Sequence, residues 1–199
     1  MANTVGSRTR RPVGWIVVAV VASVISLVWA QQQAGSGATA EVVSATDTSV
    51  VLGTASFVDG PEGGLVMTLE IGPNEVISGG LHAVHIHENG SCEPGDSNDD
   101  GQEEPAGAAG GHFNPTGVMH GVDENGPHAG DSQSYNYEFA ADGSFSGEVV
   151  FEFATLSGEN SILTEEGTAV VIHEGTDDTK TDPDGAAGGR LACGVIMGG

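Results

Sequence analysis

After residue 30, no stretch of this chain has the 3.6-residue apolar period of an amphipathic helix. It has short runs rich in Val, Ile, Thr and Phe, each stopped by Gly, Asp or Pro. "SVVLGTASFV" breaks at "DGPEGG", and "GLVMTLEIG" alternates apolar and polar residues. "LHAVHIHE", "GTAVVIHE" and "RLACGVIM" are further runs of the same kind. "YNYEFAADGSFSGEVVFEFA" reads as a hairpin turning at Asp142-Gly143. Many short strands joined by Gly-rich turns predict an all-β domain, a β-sandwich or β-barrel. Two stretches, 89–131 and 175–189, have no period. Loops of that length inside a compact domain usually carry function.

The N-terminus is built differently. Arg8, Arg10 and Arg11 precede an uncharged apolar run from Val13 to Ala30. A basic segment followed by an apolar one reads as an export signal, and Val28 and Ala30 fit a small-residue cleavage site before Gln31. A run of about 18 residues is also near the lower limit for a spanning helix, so an uncleaved anchor is the alternative. Residues 1–30 are therefore read as a signal peptide or N-terminal membrane anchor. Residues 31–45 are read as a flexible tether and 46–199 as the domain. Both forms place the domain outside the cytoplasmic membrane, in the periplasm, at the cell surface or beyond it.

Beyond residue 30 only Lys180 and Arg190 oppose 28 carboxylates, a formal charge of −26. Phosphate backbones would be repelled, which excludes nucleic acid as a partner class. The charge also fits a saline medium, where ions screen self-repulsion. The two cysteines, Cys92 and Cys193, are expected to pair in an oxidising compartment. Closing so long a loop is worth about 4–5 kcal/mol in the chain-entropy model.

Histidine carries the chemistry. On a strand, His85 and His87 share a face and their rings can meet one metal ion, whereas His82 faces the other way. His112 opens "GHFNP", His120 opens "HGVDENGP", and "HAGD" supplies His128 and Asp131. His173 ends "AVVIH". Several imidazoles suit copper or zinc, and a mixed His/Asp set suits zinc.

Taken in order, "GLHAVHIHENGSC", "AGGHFNPTG", "HG…PHAGD", "VVIHE" and "GGRLACGVI" resemble the copper,zinc superoxide dismutases, especially exported bacterial ones. The resemblance spans about residues 46–199 and places every histidine of the chain on a family histidine. It implies a Greek-key β-barrel or sandwich of about eight antiparallel strands with two long functional loops. It implies copper held by His85, His87, His112 and His173, and zinc held by His112, His120, His128 and Asp131. His112 would bridge the two, one copper and one zinc per subunit. Asp177 would link a copper histidine to a zinc histidine. His82 would be structural, and Arg190 would attract the superoxide anion beside the copper. Cys92 and Cys193 would form the family's disulfide. The implied activity is dismutation of superoxide to O₂ and hydrogen peroxide. The alternative is an exported copper- and zinc-binding module of the same fold with little turnover. Members occur as monomers and as homodimers.

Two features depart from the family's better-known members. The 175–189 loop has one lysine, Lys180, among four aspartates, so long-range attraction of an anion should be weak or adverse. The insert "EPGDSNDDGQEEPAG" at 93–107 copies the start of a calcium loop at Asp96, Asn98, Asp100 and Gly101. The twelfth position is Gly107 rather than Glu, so a solvated acidic loop is the expectation.

Overall fold

The computed structural model describes residues 1, 37–97, 102–121 and 126–199. The readings on residues 2–36, and three members of the calcium-like pattern, lie outside the described residues. Strands β1 (Ala38–Ser44), β2 (Val51–Asp59), β3 (Leu65–Ile71) and β4 (Gly80–His87) precede the long loop. Then come β5 (Asp131–Phe139), β6 (Phe145–Phe151), β7 (Ala169–His173), β8 (Arg190–Val195) and the short β9 (Met197–Gly198). A single turn of 3₁₀ helix, Gly107–Ala109, interrupts the loop.

Every ladder is antiparallel, and the strands follow the order β5-β4-β7-β8-β1-β2-β3-β6. β5 and β6, the two ends of this path, face each other across a seam. The rings of Phe139 and Phe145 lie 4.9 Å apart there, and Tyr137 meets Phe145 edge-on at 6.0 Å. Aromatic packing closes the barrel where no ladder does. With the seam counted as a contact, β4, β5 and β6 run in series and β3 returns beside β6, a Greek key.

The barrel is filled by alternating residues. β3 buries Leu65, Met67, Leu69 and Ile71 and turns Thr68 and Glu70 outward. Phe57, Phe139, Val149, Phe151, Val84, Ile86 and Ile172 meet them in one core. A smaller cluster of Ala45, Cys92, Ala106, Ala109, Ala169, Val171 and Cys193 lies outside the barrel wall, beneath the long loop.

Two expectations are corrected. The stretch read as a tether ends at Gly37 at the latest, because residues 38–44 are β1. It pairs with β2, β8 and β9, and buries Ala38, Ala40 and Val42. Its small side chains give little hydrophobic signal, yet they are what fits beside a crowded core. The segment 135–154 does supply two strands and a turn, with the Gly143 N–H donating to the Ala140 carbonyl. The strands do not pair with each other, though. β5 pairs with β4 and β6 with β3. A turn signal fixes where the chain reverses, not which edge each arm joins.

Candidate metal centre

β4 is buried on both faces. Val84 and Ile86 enter the barrel core with His82 on their side, where its ring meets Phe139 edge-on at 5.4 Å. His82 Nδ1 lies 2.8 Å from the His173 carbonyl, and its Nε2 lies 3.0 Å from the Ser78 carbonyl. The contact with the His173 carbonyl ties β4 to the end of β7, and the Ser78 hydroxyl lies 3.3 Å from Nε2. His85 and His87 occupy the opposite face, under the loops.

The long loop returns to β4 through backbone bonds. Phe113 N–H donates to the Ile86 carbonyl, Glu88 N–H to Gly111 and Ile86 N–H to Gly130. This clamp sets the His112 ring 4.0 Å from that of His85 and 5.1 Å from that of His87. The disulfide Cys92–Cys193, with Cα atoms 5.7 Å apart, pins the start of the loop to β8.

Two groups of four result. One ligand atom from each of His85, His87, His112 and His173 lies within 4.8 Å of the others. The same holds for His112, His120, His128 and Asp131. All seven residues are buried, and His112 belongs to both groups.

Hydrogen bonding decides which ring nitrogens face inward. His87 Nδ1 donates to the Gly110 carbonyl at 2.9 Å, and His173 Nδ1 to Gly188 at 3.2 Å. His128 Nε2 donates to Val118 at 3.2 Å. His85 Nε2 lies 2.8 Å from Asp177 Oδ2, and His120 Nε2 lies 3.1 Å from Asp177 Oδ1. An N–H committed to an oxygen leaves the other nitrogen as a lone pair. The two Nε2 atoms of His87 and His173 therefore meet at 3.2 Å as acceptor facing acceptor. Buried lone pairs so arranged repel unless a cation sits among them. His85 Nδ1 and His112 Nε2 are also buried without a hydrogen-bond partner, and His120 Nδ1 and His128 Nδ1 face the Asp131 carboxylate at 3.1 and 3.6 Å without a hydrogen bond to it. Such orphans are rare and costly. The donor sets fit metal ions: four imidazoles in one group, and three imidazoles with a carboxylate in the other.

Electrostatics agrees for the first group. Burial, then neighbouring His112, Arg190 and His173, holds His87 well below the ordinary imidazole pKa. Burial, then His85 and His112, does the same to His173. His112 is lowered to about 3, chiefly by burial and then by His85. These rings are neutral at neutral pH, the form that ligates metals. Burial opposes charge on His120, but the carboxylates of Asp131 and Asp177, 3.1 Å from its Nδ1 and Nε2, outweigh it and raise its pKa to about 10. Burial would raise Asp131 and Asp177, yet their histidine partners hold both below the usual carboxylate range.

Asp177 is itself held. Its N–H donates to Asn136 Oδ1 at 2.8 Å, and Asn136 Nδ2 donates back to its carbonyl at 3.0 Å. Gly185, at φ +64°, passes so close that a Cβ there would overlap the Asp177 carboxylate. The His120 backbone N–H donates to Asp182 Oδ1 at 2.7 Å.

A cleft of about 240 Å³ opens over His87, His112, His173 and Arg190. Arg190 Nη1 donates to the Ala106 carbonyl at 2.8 Å and Nη2 to Gly110 at 2.7 Å. These bonds fix the guanidinium beside the first group. Ser97, Glu104 and Asp184 also line this cleft. The structure brings His85, His87, His112, His120, His128, Asp131, His173, Asp177 and Arg190 together and leaves His82 on the opposite face of β4. It adds Ser97, Glu104, Asn136, Asp182 and a set of backbone carbonyls. The carbonyls leave no trace in sequence, and Glu104 is one acid within an acidic insert.

Residues 51–196 match the family described as copper/zinc superoxide dismutase (SODC). Superoxide dismutase (Cu-Zn) 2 of Aquifex aeolicus is 42% identical over 151 residues, covering 73% of this chain and 79% of that one. The Cu-Zn superoxide dismutase of Deinococcus radiodurans is 39% identical over 157 residues, covering 75% and 79%. The Cu/Zn superoxide dismutase structure from Brucella abortus superposes with a TM-score of 0.65 at 32% identity, covering 81% of this chain and 99% of that one. A SOD-like protein from Bacillus subtilis superposes at 0.66 with 29% identity, covering 80% and 97%. With two four-residue donor groups joined through His112 on a Greek-key barrel, and with this match along most of its length, the chain belongs to the copper/zinc superoxide dismutase family.

Proposed function

We propose that this chain dismutes superoxide outside the cytoplasmic membrane. His85, His87, His112 and His173 hold copper, and His112, His120, His128 and Asp131 hold zinc. The observation that carries the assignment is His112. Its Nδ1 lies 2.8 Å from Asp131 Oδ1 on one side, and its Nε2 is an orphan on the other. That ring belongs to both donor groups, so one imidazole can serve two centres once a metal replaces the proton on Nδ1.

When bound in an all-imidazole site, copper supplies a one-electron couple that oxidises one superoxide to O₂ and reduces a second, which leaves as hydrogen peroxide with two protons. The protein does the rest. Arg190 presents fixed positive charge to an anion entering the cleft. His112 can hold a proton at Nε2, on the cleft side, and deliver it there. Nδ1, on the opposite edge, would stay held within the Asp131 group, so the proton is gained and lost without the ring turning away. Asp177 orients His85 and His120 together through its two oxygens. Zinc has no redox role; its ligands shape the loop that carries His112.

Export is supported by the basic and apolar N-terminus and by the disulfide, which persists in oxidising compartments. The domain is then released by cleavage near residue 30 or held by residues 13–30.

The test is superoxide consumption by the metallated protein, with cyanide inhibition and metal content measured together. Cyanide-sensitive turnover at one copper and one zinc per chain is expected. Full copper loading without turnover would instead favour a metal-binding module. Fusing residues 1–45 to a reporter that is active only outside the cytoplasm tests export.

A further inference from the structure

Glu104 lines the cleft beside Arg190. Its backbone is fixed by a two-bond bridge to Gly95, with N···O distances of 2.8 and 3.1 Å. Gly107 passes so close to the Gly95 carbonyl that any Cβ there would clash, so this part of the insert is packed tightly against itself. The Glu104 carboxylate, 32% exposed, points at the guanidinium of Arg190, with Oε1 3.6 Å from Nε. The Ser97 hydroxyl donates to the same Oε1. Ser97, Glu104 and Arg190 line one cleft with the rings of His87, His112 and His173.

Arg190 is the only Lys or Arg among the described residues lining that cleft, and Glu104 and Asp184 both line it. Two of its donors are spent on the Ala106 and Gly110 carbonyls. Glu104 thus faces what remains of the guanidinium from within the cleft. Because Arg190 is buried, the two charges act through a medium less screening than water.

We propose that Glu104 is a positioning residue that acts through Arg190 as an internal competitor for anions. It weakens the hold of the guanidinium on small monovalent anions and so limits both substrate capture and anion inhibition. The proposal rests on the assignment of copper to the first histidine group.

The test uses azide, a small monovalent anion that ligates copper and gives an optical signature. Azide titrations of the copper(II), zinc-loaded full chain are compared for wild type, Glu104→Gln and Glu104→Asp. Removing one partly screened carboxylate should tighten azide binding by roughly threefold to tenfold in Glu104→Gln at low salt. The gain should shrink as ionic strength rises. Glu104→Asp keeps the charge but draws it back from Arg190, so it should fall between the two. The unliganded copper spectrum should be the same in all three. Azide affinity that is unchanged or weaker in Glu104→Gln overturns the proposal; weaker binding would mean that Glu104 merely props Arg190 in place. If Glu104→Gln loses copper, the Glu104→Asp titration decides, and no tightening there overturns it. A wild-type protein that is copper-loaded, binds azide and yet consumes no superoxide would sink the dismutase assignment separately.

Discussion

Asp177 Oδ2 lies 2.8 Å from His85 Nε2, and its other oxygen lies 3.1 Å from His120 Nε2. One buried carboxylate therefore orients a ring of each four-residue group. Asp177→Asn keeps the shape but replaces one oxygen with a donor. It should lower zinc affinity by about 10–100-fold and alter the copper(II) spectrum. Chelator competition and electron paramagnetic resonance would check both. An unaltered zinc affinity would contradict the linking role.

Metal removal should destabilise the fold strongly. Acceptor nitrogens 3.2 Å apart in His87 and His173, and the orphans of His85 and His112, lose the cation between them. An ion bound a thousandfold above its Kd stabilises by about 4 kcal/mol. Calorimetry of the chelated and the reloaded protein should show a large rise in Tm on reloading, with copper and zinc each adding to it.

Acid should weaken the metal-free protein more steeply than base. His87, His112 and His173 have folded pKa values below the unfolded one, so below about pH 6.5 only the unfolded chain takes up those protons. Stability falls from there as pH decreases. Asp131 and Asp177 are depressed too, and their contribution is present above about pH 4 and lost as pH falls further. His120 runs the other way: its contribution is full below about pH 6.5 and lost as pH rises towards about 10. Urea midpoints of chelated protein from pH 5 to pH 9, in roughly one-unit steps, would show the asymmetry. A flat acid limb would refute it.

Cys193→Ser should reduce activity beyond its effect on folding. The bridge closes a separation of 101 residues, and losing it costs about 4–5 kcal/mol in the chain-entropy model. The same loop supplies the Ala106 and Gly110 carbonyls that fix Arg190. Turnover per bound copper, measured well below Tm, should therefore fall. Unchanged turnover would mean that these carbonyls stay in place without the bridge.

Ionic strength should raise the superoxide rate or leave it flat. The charge beyond residue 30 is −26, and the substrate is an anion. Salt screens that repulsion. Pulse radiolysis across a salt series would test it, and a steep fall in rate would count against it.

The site was far more legible in the sequence than the barrel's edges were. Period-two geometry alone separates His85 and His87 from His82, and the structure keeps them on opposite faces of β4. The site's spatial assembly depends on long-range backbone bonds, such as Phe113 to Ile86, which no local pattern encodes. β1 escaped notice because Ala38 and Ala40 are small. The separation of β5 from β6 is not legible in sequence because a turn between alternating strands looks alike whether its arms pair or part. Glu104 was invisible for another reason: only the fold turns one acid among many towards Arg190.

The sharing of His112 has a thermodynamic consequence. An imidazole oriented by one ion is already oriented for the other, so the second to arrive loses less freedom on binding. Linkage makes this reciprocal: the factor by which zinc strengthens copper binding equals the factor by which copper strengthens zinc binding. In a medium scarce in either metal, the supply of one therefore raises or lowers the occupancy of the other.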